Sequence, residues 1–291
     1  MDLIDFCRDQ GILIDSYPPI GIWKRYPTED HPRSKNGAVK YMGTHAFVQN
    51  HAVHDKIITW KPDSISYLDQ VKYREMAKRE SERILQLQKQ ASDKAAHILK
   101  NCTFAHHPYL RKKGFEGESG YVFEHQDGPM LIIPMRVGEH LVGCQMINVN
   151  GEKKFLYGQK SSEAEFIIDN HGVNIFCEGY ATALSVRLAL KNHKVRYRIH
   201  VCFSANNLVK LASKCDSGIV IADNDESETG EKAAMQTGLP YWISDKKGED
   251  GNDYHQRLGL FKFSQGIVKL LNKNKFLFAF SILEWKSISL P

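Results

Sequence analysis

No two cysteines of this 291-residue chain stand at C-x-x-C spacing, and none lies between Cys7 and Cys102. Cysteine-based zinc fingers and ribbons are therefore excluded, and so is a disulfide framework. Two of the six cysteines, Cys177 and Cys202, sit inside apolar runs as small hydrophobes, which points to a reducing cytoplasm. Long hydrophobic runs are missing too: the late apolar stretch at residues 276–283 falls far short of the roughly 20 residues that span a bilayer. Residues 1–6 have neither a basic region nor an apolar core, so no signal peptide is expected. There is no large excess of one charge, with 39 Lys and Arg against 34 Asp and Glu. The net +5 suits a nucleic-acid partner without requiring one. No Walker A sequence occurs, so no fused helicase motor is expected.

Glycine and proline vanish between residues 64 and 100, where Gln, Lys, Glu, Ala and Leu dominate. That absence predicts one long helix, with room for a single break, connecting two parts of the chain. The preceding residues 1–63 are turn-rich, with Pro, Asn-Gly and Asp signals. Trp23, Tyr26, Tyr41, Phe47 and Trp60 alternate there with Lys24, Arg25, Arg33, Lys35 and Lys40. Bases stack on rings while cations follow phosphates, so Trp23, Arg25, Arg33 and Lys35 are candidate single-strand contacts. The same aromatics could equally form the core of a small β-rich domain. His31, His45, His51 and His54 lack regular spacing and read as ordinary surface or core residues.

Residues 105–165 form a second compact unit, with strands near 130–135 and 141–147 joined as a hairpin around Gly138. Beyond Phe166 strands and helices alternate: strands at 173–177, 200–203, 218–222 and 241–243, helices at 181–190, 208–213 and 230–236. Such alternation predicts an α/β fold, a parallel sheet covered by helices, over residues 166–260. Residues 261–291, rich in Phe276, Phe278, Phe280 and Trp285, form a tail that packs back on the sheet or docks a partner.

The run Ile219-Val-Ile-Ala-Asp223-Asn-Asp225 reads as a buried parallel strand ending in carboxylates, and a similar strand ends at Glu178. Ligands bind beyond the carboxyl ends of such strands. Two residues apart in an extended segment, Asp223 and Asp225 would share a face, and with Glu178 could converge on a hard divalent cation. Gly179 would permit the sharp turn after Glu178. Asp250 and Asp253 could complete the acidic group or form an ordinary Gly-rich turn. Asn206, at a turn after another strand, could face a substrate.

Glu178-Gly-Tyr-Ala-Thr-Ala-Leu-Ser followed by Asp223-Asn-Asp225 resembles the Toprim signature of bacterial-type primases, topoisomerases and several nucleases. Ile133-Pro-Met-Arg136, Leu141-Val-Gly143 and Lys154-Phe-Leu-Tyr-Gly158 resemble the segment preceding the Toprim fold in bacterial and phage primases. Arg25-Tyr-Pro-Thr28, Asn36-Gly-Ala38 and Gln49-Asn50 resemble the leader of primases from phages and mobile elements. The matches cover most of residues 20–260. They imply a Toprim, Rossmann-like sheet preceded by a small α+β primase-core subdomain at 105–165, a helical connector at 64–104 and a template-binding-like block at 1–63.

The implied activity is synthesis of short primers on single-stranded DNA from NTPs with Mg²⁺ or Mn²⁺, in phage or mobile-element replication beside a separate helicase. Glu178 would act as general acid or base, or as a ligand, while Asp223 and Asp225 would hold metal. Arg136, Lys154 and Lys160 would grip template or triphosphate phosphates. Three departures from the pattern stand out: Val137 where an acid usually follows Arg136, Asn206 where glycine is frequent, and an N-terminal block without zinc cysteines. The alternatives are a Toprim nuclease using the same acids to activate water, and a non-catalytic nucleic-acid or helicase-binding protein. A topoisomerase is disfavoured because strand passage needs a tyrosine nucleophile on a further large domain.

Overall fold

The computed structural model describes residues 1–54, 56–64 and 66–274. The chain divides into two compact units, Met1–Leu87 and the part that begins at Gln88. In the first, helix α1 (Leu3–Asp9) precedes an antiparallel sheet of β1 (Trp23–Tyr26), β2 (Gly37–Tyr41), β3 (Ala46–Asn50) and β4 (Ile58–Trp60), in sequence order. Alternation divides the sheet into two faces. Tyr26, Val39, Tyr41, Val48 and Trp60 pack with Leu3, Cys7 and Ile12 of the α1 region. Trp23, Lys40, Phe47 and Thr59 line up across the other face. The aromatics thus split between core and open face.

The Gly- and Pro-free stretch forms α2 (Tyr67–Lys100), unbroken over 34 residues. Ser66 starts it: its Oγ accepts from the Asp69 backbone N–H at 3.1 Å and donates to the Asp69 carboxylate at 2.7 Å. Its first half packs on the small sheet, where Tyr73 meets Tyr41 edge-on at 6.1 Å.

The second unit holds a second sheet, β5 (Thr103–Ala105), β6 (Gly120–His125), β7 (Gly128–Val137), β8 (His140–Ile147) and β9 (Lys153–Phe155), all antiparallel and in sequence order. Helix α3 (Pro108–Lys112), with proline at its first position, lies between β5 and β6. The run from Met130 to Met135 is continuously apolar because β7 is covered on both faces. Met130 and Ile132 pack with Ala91, Ala95 and Ile98 of α2. Leu131 and Ile133 join the core on the opposite side.

The remaining elements are β10 (Phe166–Asp169), β11 (Val173–Cys177), α4 (Tyr180–Asn192), β12 (Tyr197–Val201), α5 (Ala205–Ala212), β13 (Ile219–Ala222), α6 (Thr229–Thr237), β14 (Tyr241–Ile243) and α7 (Gly251–Lys273). Their sheet has the order β10-β12-β11-β13-β14, parallel except for the antiparallel edge strand β10. Neighbouring residues on one strand serve different layers. Ile175, Cys177, Ile219 and Ile221 pack with α4 and α7. Phe176, Val220 and Ala222 pack with α5 and α6. Sealing the Phe176 ring fully contributes about 2–3 kcal/mol. Helix α4 is buried almost all round, lying in the core that both sheets share.

Two sequence expectations change. Residues 261–273 belong to α7, which breaks at Gly259 and resumes, with Phe263, Ile267 and Leu271 packed into the core. Phe276, Phe278, Phe280 and Trp285 lie outside the described residues. The expected strand at 200–203 runs instead from Tyr197 to Val201, because Phe203 turns away with φ +65°. No described helix is long and apolar enough to cross a membrane.

Candidate active site

The chain goes from β11 to β12 on one side and then crosses to β13 on the other. The crevice between β11 and β13 is thus the topological switch point of the sheet, where ligands bind beyond the strand ends. Glu178 follows β11 and Asp223 follows β13.

Each acid stands one residue beyond its strand, and its neighbours show what it meets. Glu178 is close to the start of α5, where the Ala205 backbone N–H favours its charged form. Asp223 lies within reach of the Glu178 and Asp250 charges. Burial, then the Asp225 charge, raises the Glu178 carboxyl above its ordinary value. Burial, then Glu178 and Asp250, pushes Asp223 up to about 8. Asp223 Oδ1 is buried without a hydrogen-bond partner. Two acids resisting ionisation at the carboxyl ends of the central strands, one with an orphaned oxygen, form the donor set whose charge a hard cation would compensate.

Asp225 behaves differently. Burial alone would raise it, but the Ser227 hydroxyl and the backbone N–H groups of Gly230 and Thr229 hold it below its ordinary value. Its Oδ1 accepts from Ser227 Oγ at 2.6 Å and Thr229 N at 3.0 Å, and its Oδ2 from Gly230 N at 2.9 Å. The carboxylate therefore serves the N-terminus of α6. The two-apart argument fails because β13 ends at Ala222, and the ladder beyond is one bridge from Asn224 to Glu249. Asp225 stays within electrostatic reach of Glu178 and Asp223 with its oxygens already engaged. Gly230 packs so closely that a Cβ there would come 2.3 Å from the Asp223 carbonyl oxygen.

Asp250 and Asp253 form a capping box at the start of α7. Asp250 accepts from Asn252 N at 2.7 Å and Asp253 N at 2.8 Å, and Asp253 also meets Lys113 Nζ at 3.0 Å. Among the described residues no group of three or more His, Cys, Asp and Glu side chains is arranged to hold an ion. Glu178 and Asp223 are thus the acids left open for one. Gly179 is not needed for the turn: it caps α4 at φ −104°, open to any residue, and a Cβ there would meet only Thr182 Oγ1 at 4.0 Å.

The cation whose charge reaches both acids is Lys153, one residue before the candidate Lys154. Its charge holds down both Glu178 and Asp223. Lys154 points to the other face of β9, since neighbours on a strand alternate. Arg136 donates to the Glu139 carbonyl at 2.8 Å while its backbone bridges Glu165. Lys160 lies near Glu163, and Asn206 is exposed on the first turn of α5. Asn207 beside it is buried and ties the loop before β10 to the β12–α5 turn: it accepts from Glu163 N at 2.7 Å and donates to Ala164 O at 2.7 Å and Cys202 O at 2.8 Å. In the N-terminal unit Trp23 and Arg25 share the open face of β1, whereas Arg33 and Lys35 are exposed between β1 and β2.

No protein-family description matches the chain, and neither does any curated protein. Two solved structures are similar in shape. The primase fragment of the bacteriophage T7 primase-helicase protein is 15% identical, with 59% of this chain and 75% of that one covered at a TM-score of 0.41. A chain of a bacteriophage T7 assembly is 16% identical, with 58% and 91% covered at the same TM-score; there the lagging-strand DNA polymerase interacts with primase domains of two gp4 subunits bound to an RNA/DNA hybrid and dTTP. The resemblance is weak, and the residues carry the functional argument.

Proposed function

We propose that this chain is a primase of phage, plasmid or mobile-element type, a Toprim enzyme that joins NTPs on a single-stranded DNA template. The observation that carries the reading is the pair Glu178 and Asp223 at the switch point, both pushed above the ordinary carboxylate range, with Asp223 Oδ1 unpartnered. The resemblance of the segment from Ile133 to Gly158 to primase cores selects nucleotidyl transfer among the chemistries such acids serve.

Asp223 and Glu178 would hold Mg²⁺ or Mn²⁺. When bound, the ion neutralises triphosphate charge and lowers the pKa of the attacking hydroxyl. Asp225 positions the α6 end of the 223–230 loop. Lys153 faces triphosphate oxygens beside the acids. Where Asp223 alone holds the ion, Glu178 would instead accept the proton of the attacking 3′-hydroxyl as the bond from that oxygen to the α-phosphorus forms and pyrophosphate leaves. The template, the NTPs and a separate replicative helicase are the partners of this reading, and the cytoplasm is its setting.

Incubation with single-stranded DNA, labelled NTPs and Mg²⁺ or Mn²⁺ should yield short oligonucleotides. These products should vanish in Glu178→Gln and Asp223→Asn. Folded protein that makes none on varied templates, with and without a helicase, would refute the reading. Metal-dependent cleavage without incorporation would replace it with a nuclease.

A further inference from the structure

Beside the acids lies an aromatic pair that the proposed mechanism does not use. Phe203 follows β12 with φ +65°, a backbone conformation that bulky residues rarely adopt. Its N–H donates to the Glu178 carbonyl at 3.0 Å, which fixes the bend against the acid. Phe155 stands edge-to-face with it, ring centroids 6.3 Å apart and planes at 85°. Phe155 is 45% exposed, although Leu156 next to it is buried. On β9 Phe155 shares a face with Lys153, two residues earlier, the cation that faces Glu178 and Asp223.

One exposed ring on a protein surface is ordinary. Here the ring is braced by a second aromatic in a strained bend, and strain of this kind gathers at functional sites. Rings, a cation and acids thus share one neighbourhood, matching the base, phosphates and reacting centre of a nucleotide. Base–aromatic stacking tolerates any base, because every base has a π-face.

We propose that Phe155, backed by Phe203, is a stacking platform for a nucleobase, carried by a nucleoside triphosphate or by the end of a strand whose phosphates meet Lys153. This assignment rests on the nucleotidyl-transfer reading and adds a substrate subsite to it.

Binding of ATP, of inorganic tripolyphosphate and of a short oligo(dA) to the full chain, with Mg²⁺ present, tests it. Phe155→Leu, which keeps apolar bulk, should weaken ATP or oligo(dA) by roughly 5- to 100-fold and leave tripolyphosphate unchanged. Loss confined to ATP assigns the base to the incoming nucleotide; loss confined to oligo(dA) assigns it to the strand. Phe155→Trp should keep the affinity, and its fluorescence should be quenched on binding. Phe203→Leu, in which the bracing ring is lost, should weaken the same ligand.

Unchanged ATP and oligo(dA) affinity in Phe155→Leu overturns the platform, as does an equal loss of tripolyphosphate. If that variant still makes primers with an unaltered KM for NTPs and an unaltered affinity for oligo(dA), the platform falls and the primase reading stands. If the wild type binds none of the three ligands, both fall.

Discussion

Replacing Asp223 by Asn should stabilise the metal-free protein, and by an amount that depends on pH. The Asp223 carboxyl has an ordinary value of 3.8 and is pushed up to about 8 in the fold. Between those values the folded state holds a proton that the unfolded state has released. Stability therefore falls as pH rises through this interval and levels off above about 8. One pH unit corresponds to about 1.4 kcal/mol, so the three units from the ordinary value to pH 7 correspond to about 4 kcal/mol at most. Local relaxation and water entry reduce the expected gain of Asp223→Asn to about 2–4 kcal/mol near pH 7, shrinking towards zero at pH 4.

Hydrogen exchange at the β11 and β13 amides, with chelator present and intrinsic rates corrected for pH, reads the difference where it arises. Adding Mn²⁺ should narrow or close the gap. A ligand at a hundred times its Kd stabilises by about 2.7 kcal/mol, a gain the Asn variant should lack. Parallel pH curves for the two proteins, or equal stabilisation by Mn²⁺, would refute the claim that the fold resists ionisation of Asp223 until a cation binds.

Lys153→Ala should raise both acids further and move the pH profile of metal-dependent activity upward, because ionisation then needs higher pH; Lys154→Ala should leave that profile in place. Asn207→Ala should cost roughly 2–4 kcal/mol in denaturant unfolding, since three buried hydrogen bonds are lost, whereas Asn206→Ala should stay within about 0.5 kcal/mol. Asp225→Asn should destabilise by about 1 kcal/mol through weaker hold on α6. Because the Asp225 carboxyl is depressed in the fold, that difference should be present above 3.8 and close as pH falls below it, as followed by thermal melting across acid pH.

Strands buried on both faces were the most legible parts of this sequence. Residues 173–177 coincide with β11, and 218–222 with β13 to within a residue, because Ile, Val and Phe runs of that length have no other stable place. The edge strand β10 escaped notice: it is short and half-exposed, so its apolar residues show no period. Helix α7 was hidden by its own start, where Gly248-Glu-Asp-Gly251 has turn composition and only the Asp250–Asp253 capping box shows that a helix begins.

At the site, sequence supplied the acids but not their duties. The same-face rule holds only inside a strand, and β13 stops one residue before Asp223. Lys153 and Lys154 are chemically equivalent neighbours on an exposed strand, so only the pairing register of β9 with β8 distinguishes them. Asn207 could be found only through its partners, which come from positions as far away as Glu163 and Ala164.

The contact between Gly230 and the Asp223 carbonyl gives the 223–230 loop a mechanical character. One end is tied by Asp225 to the first turn of α6, and the other is wedged by that same turn. The Asp223 backbone and the first turn of α6 are in close contact, so a shift of one should be passed to the other. The helix is a lever arm whose short end is Asp223. A spectroscopic label on its exposed Met235 would therefore report events in the crevice from outside it.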